Sequence, residues 1–182
     1  MKVFANDLDN ADHFALIKEC PSSHTHPPLI RIHSECITGD VFGSQKCDCG
    51  HQLQQSMGQI DAQGGVLIYL RQEGRGIGLA DKIKAYSLQE QGYDTVEANV
   101  ALGHPPDARC YAVASQILRH LGITRIHLLT NNSDKIAQLE RYGIRVVKRI
   151  PLLTTPTHQN VRYLHTKKKK MGHFLRVSQL DE

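Results

Sequence analysis

Runs of β-forming residues alternate with segments of helical periodicity along most of the chain, and this alternation limits the possible folds more than any other feature. Five short runs of β-forming residues predict strands over residues 14–18, 29–33, 66–70, 125–129 and 145–150. Strands that alternate with helices are typical of a layered α/β domain, in which helices cover a sheet. The pattern does not determine the order of the strands.

Four segments between these strands have the period of an amphipathic helix. In the first, Leu53, Met57 and Ile60 recur at helical spacing before the Gly64-Gly65 stop. The other three are residues 79–89, residues 114–121, and a helix capped by Asn132 or Ser133.

The segment that follows residue 150 shows no helical or strand period in this interpretation. We therefore predict one domain over residues 1–182, with a core over about 29–150 and with 151–182 as loop and basic C-terminal tail. The lysine run from Lys167 to Lys170 is predicted to be solvated.

The stretch CITGDVFGSQKCDC, from Cys36 to Cys49, has the cysteine spacing of a loop-borne metal site. Cys47 and Cys49 are close enough to share one coordination sphere, and turn residues before them can bring Cys36 back to join them. A structural zinc site is normally closed by four protein ligands, whereas a catalytic site keeps three and leaves one position for water or substrate. Three thiolates therefore favour a catalytic zinc ion, one per chain.

Two other interpretations of these cysteines stay open. They are reduced thiols that cluster by chance, or they form a structural site that is closed by Cys20, His33 or His51.

Composition restricts the class of protein. The chain has 182 residues, 40% of them hydrophobic, which is enough for a proper core. The N-terminal residues lack the pattern of a signal peptide and no apolar stretch approaches membrane-spanning length, so we expect a cytoplasmic protein with reduced thiols and no membrane partner. A formal net charge of +4 suits a small polyanion such as a nucleotide, but it lacks the dense basic stripe of nucleic-acid binding.

A polar strand leads directly into the cysteine stretch. The residues from Arg31 to Glu35 alternate in the sequence RIHSE, so Arg31 and His33 share one face if Ile32 faces the core. An ordinary exposed strand face explains the same pattern, and only the nearby Cys36 favours a functional interpretation.

A glycine-rich turn, RQEGRGIGL, follows the strand over residues 66–70 and leads into a predicted helix. Free backbone N–H groups at such a turn make an anion site, and Arg75 can add a bidentate phosphate contact. The motif matches neither the phosphate loop nor a dinucleotide fingerprint.

Two further polar stretches have a structural explanation of equal weight. Asp107, in GHPPDAR, is well placed to cap the following helix. The sequence from Thr130 to Asn132 ends an apolar strand, and turn and capping chemistry explains it without a ligand.

Taken together, these stretches closely resemble GTP cyclohydrolase II. The matching pieces run from Arg31 to His173 and are RIHSECITGD, CDCGHQL, RQEGRGIGL, KIKAY, GYDTVEAN, the PPDAR segment, LLTNN and YLHTKKKKMGH. The resemblance implies a homodimeric α/β enzyme with a mixed sheet flanked by helices. It also implies hydrolysis of GTP to a diaminopyrimidine ribosylamino phosphate, formate and pyrophosphate, with zinc at the protein and magnesium at the substrate phosphates.

The resemblance also implies a role for individual residues. Cys36, Cys47 and Cys49 match the zinc ligands. Asp107 matches the proton acceptor, Arg109 the proposed nucleophile at the α-phosphate, and Tyr86 an active-site tyrosine. Because an arginine is almost never deprotonated, stabilisation of the phosphoryl transition state is the more ordinary role for Arg109. The positions that match GTP contacts are Arg31, Ile32, His33, Ser34, Glu35, Gln52, Glu73, Gly74, Arg75, Thr95, Thr130 and Lys135.

Two alternatives to this function remain. One is a related enzyme that stops at the formamide product, which the presence of Tyr86 disfavours. The other is a zinc-stabilised nucleotide-binding module without catalysis, which would need a fourth protein ligand for the metal.

Overall fold

The structure is a computed structural model, and it describes residues 1–19 and 26–175. The strands are β1 (Lys2–Phe4), β2 (His13–Lys18), β3 (Leu29–Ser34), β4 (Gly65–Leu70), β5 (Arg125–Leu129) and β6 (Arg145–Ile150). The helices are α1 (Ile37–Asp40), α2 (Cys49–Gln63), α3 (Gly78–Glu90), α4 (Thr95–Ala101), α5 (Ala112–His120), α6 (Ser133–Arg141) and α7 (Val161–Met171), with a 3₁₀ turn at Glu73–Gly76.

The strands form one mixed sheet in the order β1-β2-β4-β3-β5-β6. Strands β1 and β2 run antiparallel, as do β2 and β4, while β4, β3, β5 and β6 are mutually parallel. The prediction of an α/β fold with a mixed sheet flanked by helices is confirmed. Because β3, β4 and β5 are parallel neighbours, the loops that follow them meet at one edge of the sheet.

Side chains alternate between two hydrophobic cores, one on each face of the sheet. Ile30 and Ile32 of β3 pack in the larger core, together with Ala114 and Leu118 of α5. Leu29 belongs to the smaller core, which is shared with α2. Arg31 and His33 therefore lie on the face opposite Ile32, as the alternation predicted, and both are buried.

The five predicted strands all exist, and their boundaries agree within one residue. The predicted apolar stripe of α2 is only partly correct, because Ile60 is buried whereas Met57 is 39% exposed. Asn132 caps α6 by accepting a hydrogen bond from the N–H of Asp134, so that prediction is confirmed.

The prediction of loop and solvated tail after residue 150 is partly wrong. Residues 151–160 contain no helix or strand, and Lys168, Lys169 and Lys170 are exposed. Helix α7 nevertheless occupies part of the segment after residue 150, and Leu164 and Lys167 are buried on one of its faces. The prediction missed it because a helix with few apolar residues shows little hydrophobic period. Among the described residues, no helix combines the length and the apolar character needed to cross a membrane.

Candidate functional site

A cleft opens at the carboxyl ends of β3, β4 and β5, and most of the predicted site residues line it. Those that do are Arg31, His33, Ser34, Glu35, Cys36, Cys47, Cys49, Gln52, Glu73, Gly74, Arg75, Tyr86, Thr95, Arg109, Thr130 and Lys135. Two predicted residues do not line it. The side chain of Ile32 lies in the core on the other face, although its carbonyl oxygen accepts a hydrogen bond from Lys135, and Asp107 lies behind Arg109.

The three cysteines converge as predicted. Cys36 follows β3, Cys49 begins α2, and the sulfur atoms of Cys36, Cys47 and Cys49 all lie within 4.8 Å of one another. The loop wraps closely around them, since a methyl group added at Gly39 would lie 2.9 Å from the Cys47 sulfur. A compact group of soft thiol donors fits an ion such as zinc.

Within residues 1–19 and 26–175, no fourth His, Cys, Asp or Glu joins this group of thiols. His33 is directed to Asp40 instead, and His51 is exposed. Cys20, which the sequence also suggested as a fourth ligand, lies outside the described residues.

Asp40 organises the loop between the first two cysteines. Its carboxylate accepts hydrogen bonds from the backbone N–H of Cys36 at 3.0 Å, from Nε2 of His33 at 3.0 Å and from the hydroxyl of Tyr69 at 2.8 Å. Because His33 donates from Nε2, its other ring nitrogen carries a lone pair, which faces a guanidinium N–H of Arg31 at 3.4 Å. The carboxylate thus fixes both the Cys36 backbone and the tautomer of His33.

Cys36 is electrostatically biased toward the thiolate form, whereas hydrogen bonding to Cys36 and burial raise the pKa of Cys47 and Cys49. Hydrogen bonds from the Cys47 and Cys49 thiols, together with the ammonium group of Lys82, hold the pKa of Cys36 well below its ordinary value. The Lys82 Nζ atom lies 3.1 Å from the Cys36 sulfur and 2.8 Å from a carboxylate oxygen of Glu73. A thiolate is the form that binds a metal ion.

The glycine-rich turn has a different structure from the predicted free anion site. Gly74 and Arg75 both adopt left-handed backbone conformations, with φ of 62°. The carboxylate of Glu73 accepts the N–H of Gly74 and that of Ile37, each at 2.7 Å, so the Gly74 N–H is not free for an anion. Arg75 instead donates to the Thr95 hydroxyl at 3.1 Å, which fixes it at the wall of the cleft.

Buried cations occupy the part of the cleft beyond the cysteines. Arg31 is 6% exposed and Lys135 is 4% exposed, and neither has a carboxylate within ion-pair distance among the described residues. Burial lowers the pKa of Arg31 to about 10. Burial and the charges of Arg31 and Arg109 hold the pKa of Lys135 well below its ordinary value. Such a group is poised to bind an anion, which would relieve the mutual repulsion of the cations.

Asp107 does not cap α5, contrary to that interpretation of the sequence. The helix begins at Ala112 after Tyr111, without a side-chain cap. Instead, Asp107 accepts hydrogen bonds from the guanidinium group of Arg109, through Nε at 2.8 Å and also through Nη2, and from the Arg109 backbone N–H. Burial disfavours a charged guanidinium, but Tyr111 and the paired Asp107 raise the pKa of Arg109 above its ordinary value.

Several lining residues were missed by the sequence reasoning, notably Lys82, Tyr163, Lys167 and His173. Each of them lies in a segment, KIKAY or YLHTKKKKMGH, that carried the resemblance. The lysines gave no separate signal, because local sequence does not distinguish a buried lysine from a solvated one.

Comparison with known proteins agrees with this arrangement. The GTP cyclohydrolase II family matches residues 1–151, and that match begins before the motifs that carried the resemblance. Riboflavin biosynthesis protein RibBA from Bacillus subtilis strain 168 is 55% identical over 94% of this chain, and its namesake from Bacillus velezensis is 54% identical over the same share. A third, from Bacillus cereus strain ATCC 14579, is 53% identical over 96% of this chain.

The chain spans 44% of the length of each of these relatives. The family match nevertheless covers all six strands, together with all three cysteines and the cations Arg31, Arg109 and Lys135. On the fold, the site and this match, the chain belongs to the GTP cyclohydrolase II family.

Proposed function

We propose that the chain is a zinc-dependent GTP cyclohydrolase II, which converts GTP to a diaminopyrimidine ribosylamino phosphate, formate and pyrophosphate in the first step of riboflavin biosynthesis. One observation carries the proposal: a group of three thiols with no fourth protein ligand among the described residues shares a cleft with buried cations that lack carboxylate partners. A metal with an open position suits hydrolysis of the base, and the cations suit the triphosphate.

Cys36, Cys47 and Cys49 would hold the zinc ion. When bound, zinc supplies Lewis-acid activation of water for hydrolysis at neutral pH. Lys82 and Glu73 support the ligand set, because the ammonium group contacts the Cys36 sulfur and is itself held by the carboxylate. In this arrangement Lys82 favours the thiolate form of the ligand.

We propose that Tyr86 acts at the base end of the substrate. It lines the cleft, and its hydroxyl lies 3.4 Å from the hydroxyl of Thr38, a residue of the cysteine loop. Burial raises the pKa of Tyr86, so the phenol keeps its proton at neutral pH. A protonated phenol can donate to the formyl oxygen or to the leaving nitrogen during release of formate.

Arg109 and Asp107 would act at the phosphate end. Since the pKa of Arg109 is raised, the guanidinium stays charged, and we propose that it stabilises negative charge at the α-phosphate rather than attacking it. Both carboxylate oxygens of Asp107 are engaged by Arg109, and this pairing lowers the pKa of Asp107 despite its burial. Asp107 is therefore a weak base, and it orients Arg109.

Magnesium would arrive with the phosphates. The group of three cysteines is the single cluster of potential metal ligands in the described part of the chain, so we propose that Mg²⁺ is carried mainly by phosphate oxygens of GTP. The remaining contacts to GTP are proposed for Arg31, His33, Ser34, Glu35, Gln52, Gly74, Arg75, Thr95, Thr130 and Lys135.

Two further properties do not depend on the site. We propose that the protein is a homodimer, as the family resemblance implies, and that it acts in the cytoplasm. Sedimentation velocity of the purified chain tests the first, and a single species at the mass of one chain, 20.4 kDa, would contradict it.

The function is tested by incubating the zinc-loaded chain with GTP and magnesium. We expect formate, pyrophosphate and the diaminopyrimidine product in equal amounts. A Cys47→Ser variant should lose zinc and ring opening but keep its secondary structure by circular dichroism. Ring opening by a folded, metal-free variant would contradict the role of zinc.

Two results would identify the alternative functions. Accumulation of a ring-opened formamide without formate would indicate the related enzyme that stops at that product. GTP binding without any product would indicate a non-catalytic module.

A further inference from the structure

The C-terminal helix α7 follows the last residue of the family match, although its sequence carried part of the resemblance, and it forms one wall of the cleft. The match ends at residue 151, whereas α7 covers Val161–Met171. Tyr163 and Lys167 of this helix line the cleft, and so does His173, which follows it.

Polar contacts fix the C-terminal end of this segment against the rest of the fold. Lys170 forms ion pairs with Asp94 and Glu97 at the beginning of α4. Beyond the helix, the Ser133 hydroxyl donates to the carbonyl of Gly172 at 3.1 Å, and the N–H of Phe174 donates to the carbonyl of Asn131 at 2.8 Å. The segment is therefore docked across the site and is not a free tail.

Lys167 is buried in this wall, with 9% of its surface exposed. Its Nζ atom lies 3.3 Å from Asp48 and 4.2 Å from the centre of the Tyr163 ring. Asp48 already accepts hydrogen bonds from Gln52 and Thr154, so Lys167 shares that carboxylate with other donors. The ammonium group keeps donors for a ligand in the cleft.

His173 has a buried ring nitrogen without a partner. The Nε2 atom is inaccessible and makes no hydrogen bond within the described structure. Burial and the charges of Lys167, Arg109 and Lys135 lower the pKa of His173 to about 3, so the ring is neutral at physiological pH. A neutral imidazole among three cations can donate an N–H to an anion that those cations attract.

We propose that Lys167 and His173 are further substrate-binding residues, which contact the phosphate end of the nucleoside triphosphate together with Arg109 and Lys135. The proposal rests on the proposed function, since it assigns part of the same cleft to the same substrate. It follows from two independent observations, a buried lysine that lines the cleft and an unpartnered histidine nitrogen among the same cations.

The test separates the two ends of the substrate by using two small probes. Inorganic triphosphate represents the phosphate end, and guanosine represents the base end. Each is titrated calorimetrically into the full, zinc-loaded chain and into Lys167→Met, His173→Ala and Lys169→Met variants. Lys169 is the matched control, because it is an exposed lysine of the same helix and its substitution removes the same charge.

We expect Lys167→Met and His173→Ala each to weaken triphosphate binding about 10- to 100-fold, the usual value of a hydrogen bond to a charged group. Guanosine binding should stay at the parental value, and Lys169→Met should match the parent with both probes. Circular dichroism and thermal melting establish that each variant is folded. If Lys167→Met does not fold, because Asp48 is left unpaired, His173→Ala decides the question alone.

Other results overturn the proposal. Equal weakening of both probes would mean that α7 supports the whole cleft through Asp48, and unchanged triphosphate binding would mean that the segment makes no phosphate contact. Turnover of GTP by the parent chain is measured in parallel. Absence of that turnover contradicts the proposed function, whereas turnover with unaltered triphosphate binding in both variants contradicts only this inference.

Discussion

Asp40 joins three parts of the molecule through one buried carboxylate, which accepts hydrogen bonds from Cys36, His33 and Tyr69. We expect Asp40→Asn to lower zinc affinity about 10- to 100-fold, the usual effect of removing a group that orients a metal ligand. The amide group of the variant directs an N–H toward the donors of Cys36, His33 and Tyr69, which need an acceptor. Competition with a chromophoric chelator measures the affinity.

The control for this prediction is Asp61→Asn, which removes a carboxylate that is 77% exposed and pairs with Lys18 at the surface. It should leave zinc affinity at the parental value. Parental affinity in Asp40→Asn as well would show that the cysteine loop keeps its geometry without the carboxylate.

Tyr86 gives a second prediction at the scale of one residue. Tyr86→Phe should slow formate release about 10²-fold, because proton donation to the leaving group is lost, while ring opening changes less. The formamide intermediate should therefore accumulate, which chromatography of quenched reactions measures. The exposed Tyr93 provides the control substitution to Phe. If the variant releases formate at the parental rate and no formamide accumulates, Tyr86 is part of the cleft wall and does not donate a proton.

Arg109 gives a third prediction, which separates charge stabilisation from nucleophilic attack. Arg109→Lys keeps the positive charge but loses the paired contact with Asp107, so pyrophosphate release should fall about 10²-fold. Turnover of α-phosphate-labelled GTP by the parent should leave no label on the protein. Isolation of a covalent adduct at Arg109 would establish the nucleophile instead.

At the scale of elements, five of the six strands and four helices were predicted, whereas strand β1 and helices α1, α4 and α7 were not. The run from Val66 to Leu70 in β4 is apolar and lies between two glycine-containing turns, so its pattern was sufficient. Helix α4 was missed although Asp94 and Glu97 form a capping box, which is a readable signal of a helix start. Helix α7 was missed because Lys167 occupies a position on its buried face that apolar periodicity would assign to a hydrophobic residue.

The site was predictable where residue type and spacing were unusual, and unpredictable where burial decided the chemistry. Three cysteines in a short loop indicate a metal from sequence alone. The pairing of Asp107 with Arg109 could not be predicted, because an aspartate at this position in the sequence is equally typical of a helix N-cap. Burial of Lys135 and His173 depends on contacts with distant segments, which local patterns do not contain.

The docking of α7 gives a fourth prediction. Leu164 is 3% exposed, so Leu164→Ala should lower the free energy of unfolding by about 2–5 kcal/mol through lost burial and an unfilled cavity. Urea unfolding measures the change. Exposed Lys169→Ala in the same helix should stay within about 0.5 kcal/mol of the parent. Equal stability of both variants would show that α7 is not packed against the domain.

At the scale of the whole molecule, His173 predicts how stability depends on pH. Its pKa is about 3 in the folded chain, against an ordinary value of 6.5, so the unfolded state binds the proton more readily between these values. Stability should therefore fall as pH decreases below about 6.5, by about 1–2 kcal/mol at pH 5 for this group.

Urea unfolding of the parent and of His173→Gln at pH 7 and pH 5 tests this dependence. The variant should lose less stability than the parent on acidification, because it has no imidazole at position 173 to protonate. Exposed His51→Gln should lose as much as the parent. An identical loss in His173→Gln and the parent would contradict the expected burial of the imidazole.

Residues that meet in the cleft are far apart along the chain, and this separation affects the nascent protein. Lys167 contacts Asp48 across 119 residues, and Lys135 contacts Ile32 across 103. At about 5–20 residues per second, a ribosome needs about 6–24 s to synthesise the longer interval. The three cysteines therefore emerge well before helix α7, which contacts Asp48 between Cys47 and Cys49. During these seconds the thiols are accessible to metal ions and to oxidants alike. Capture of the metal ion during translation would protect the thiols before the cleft is complete.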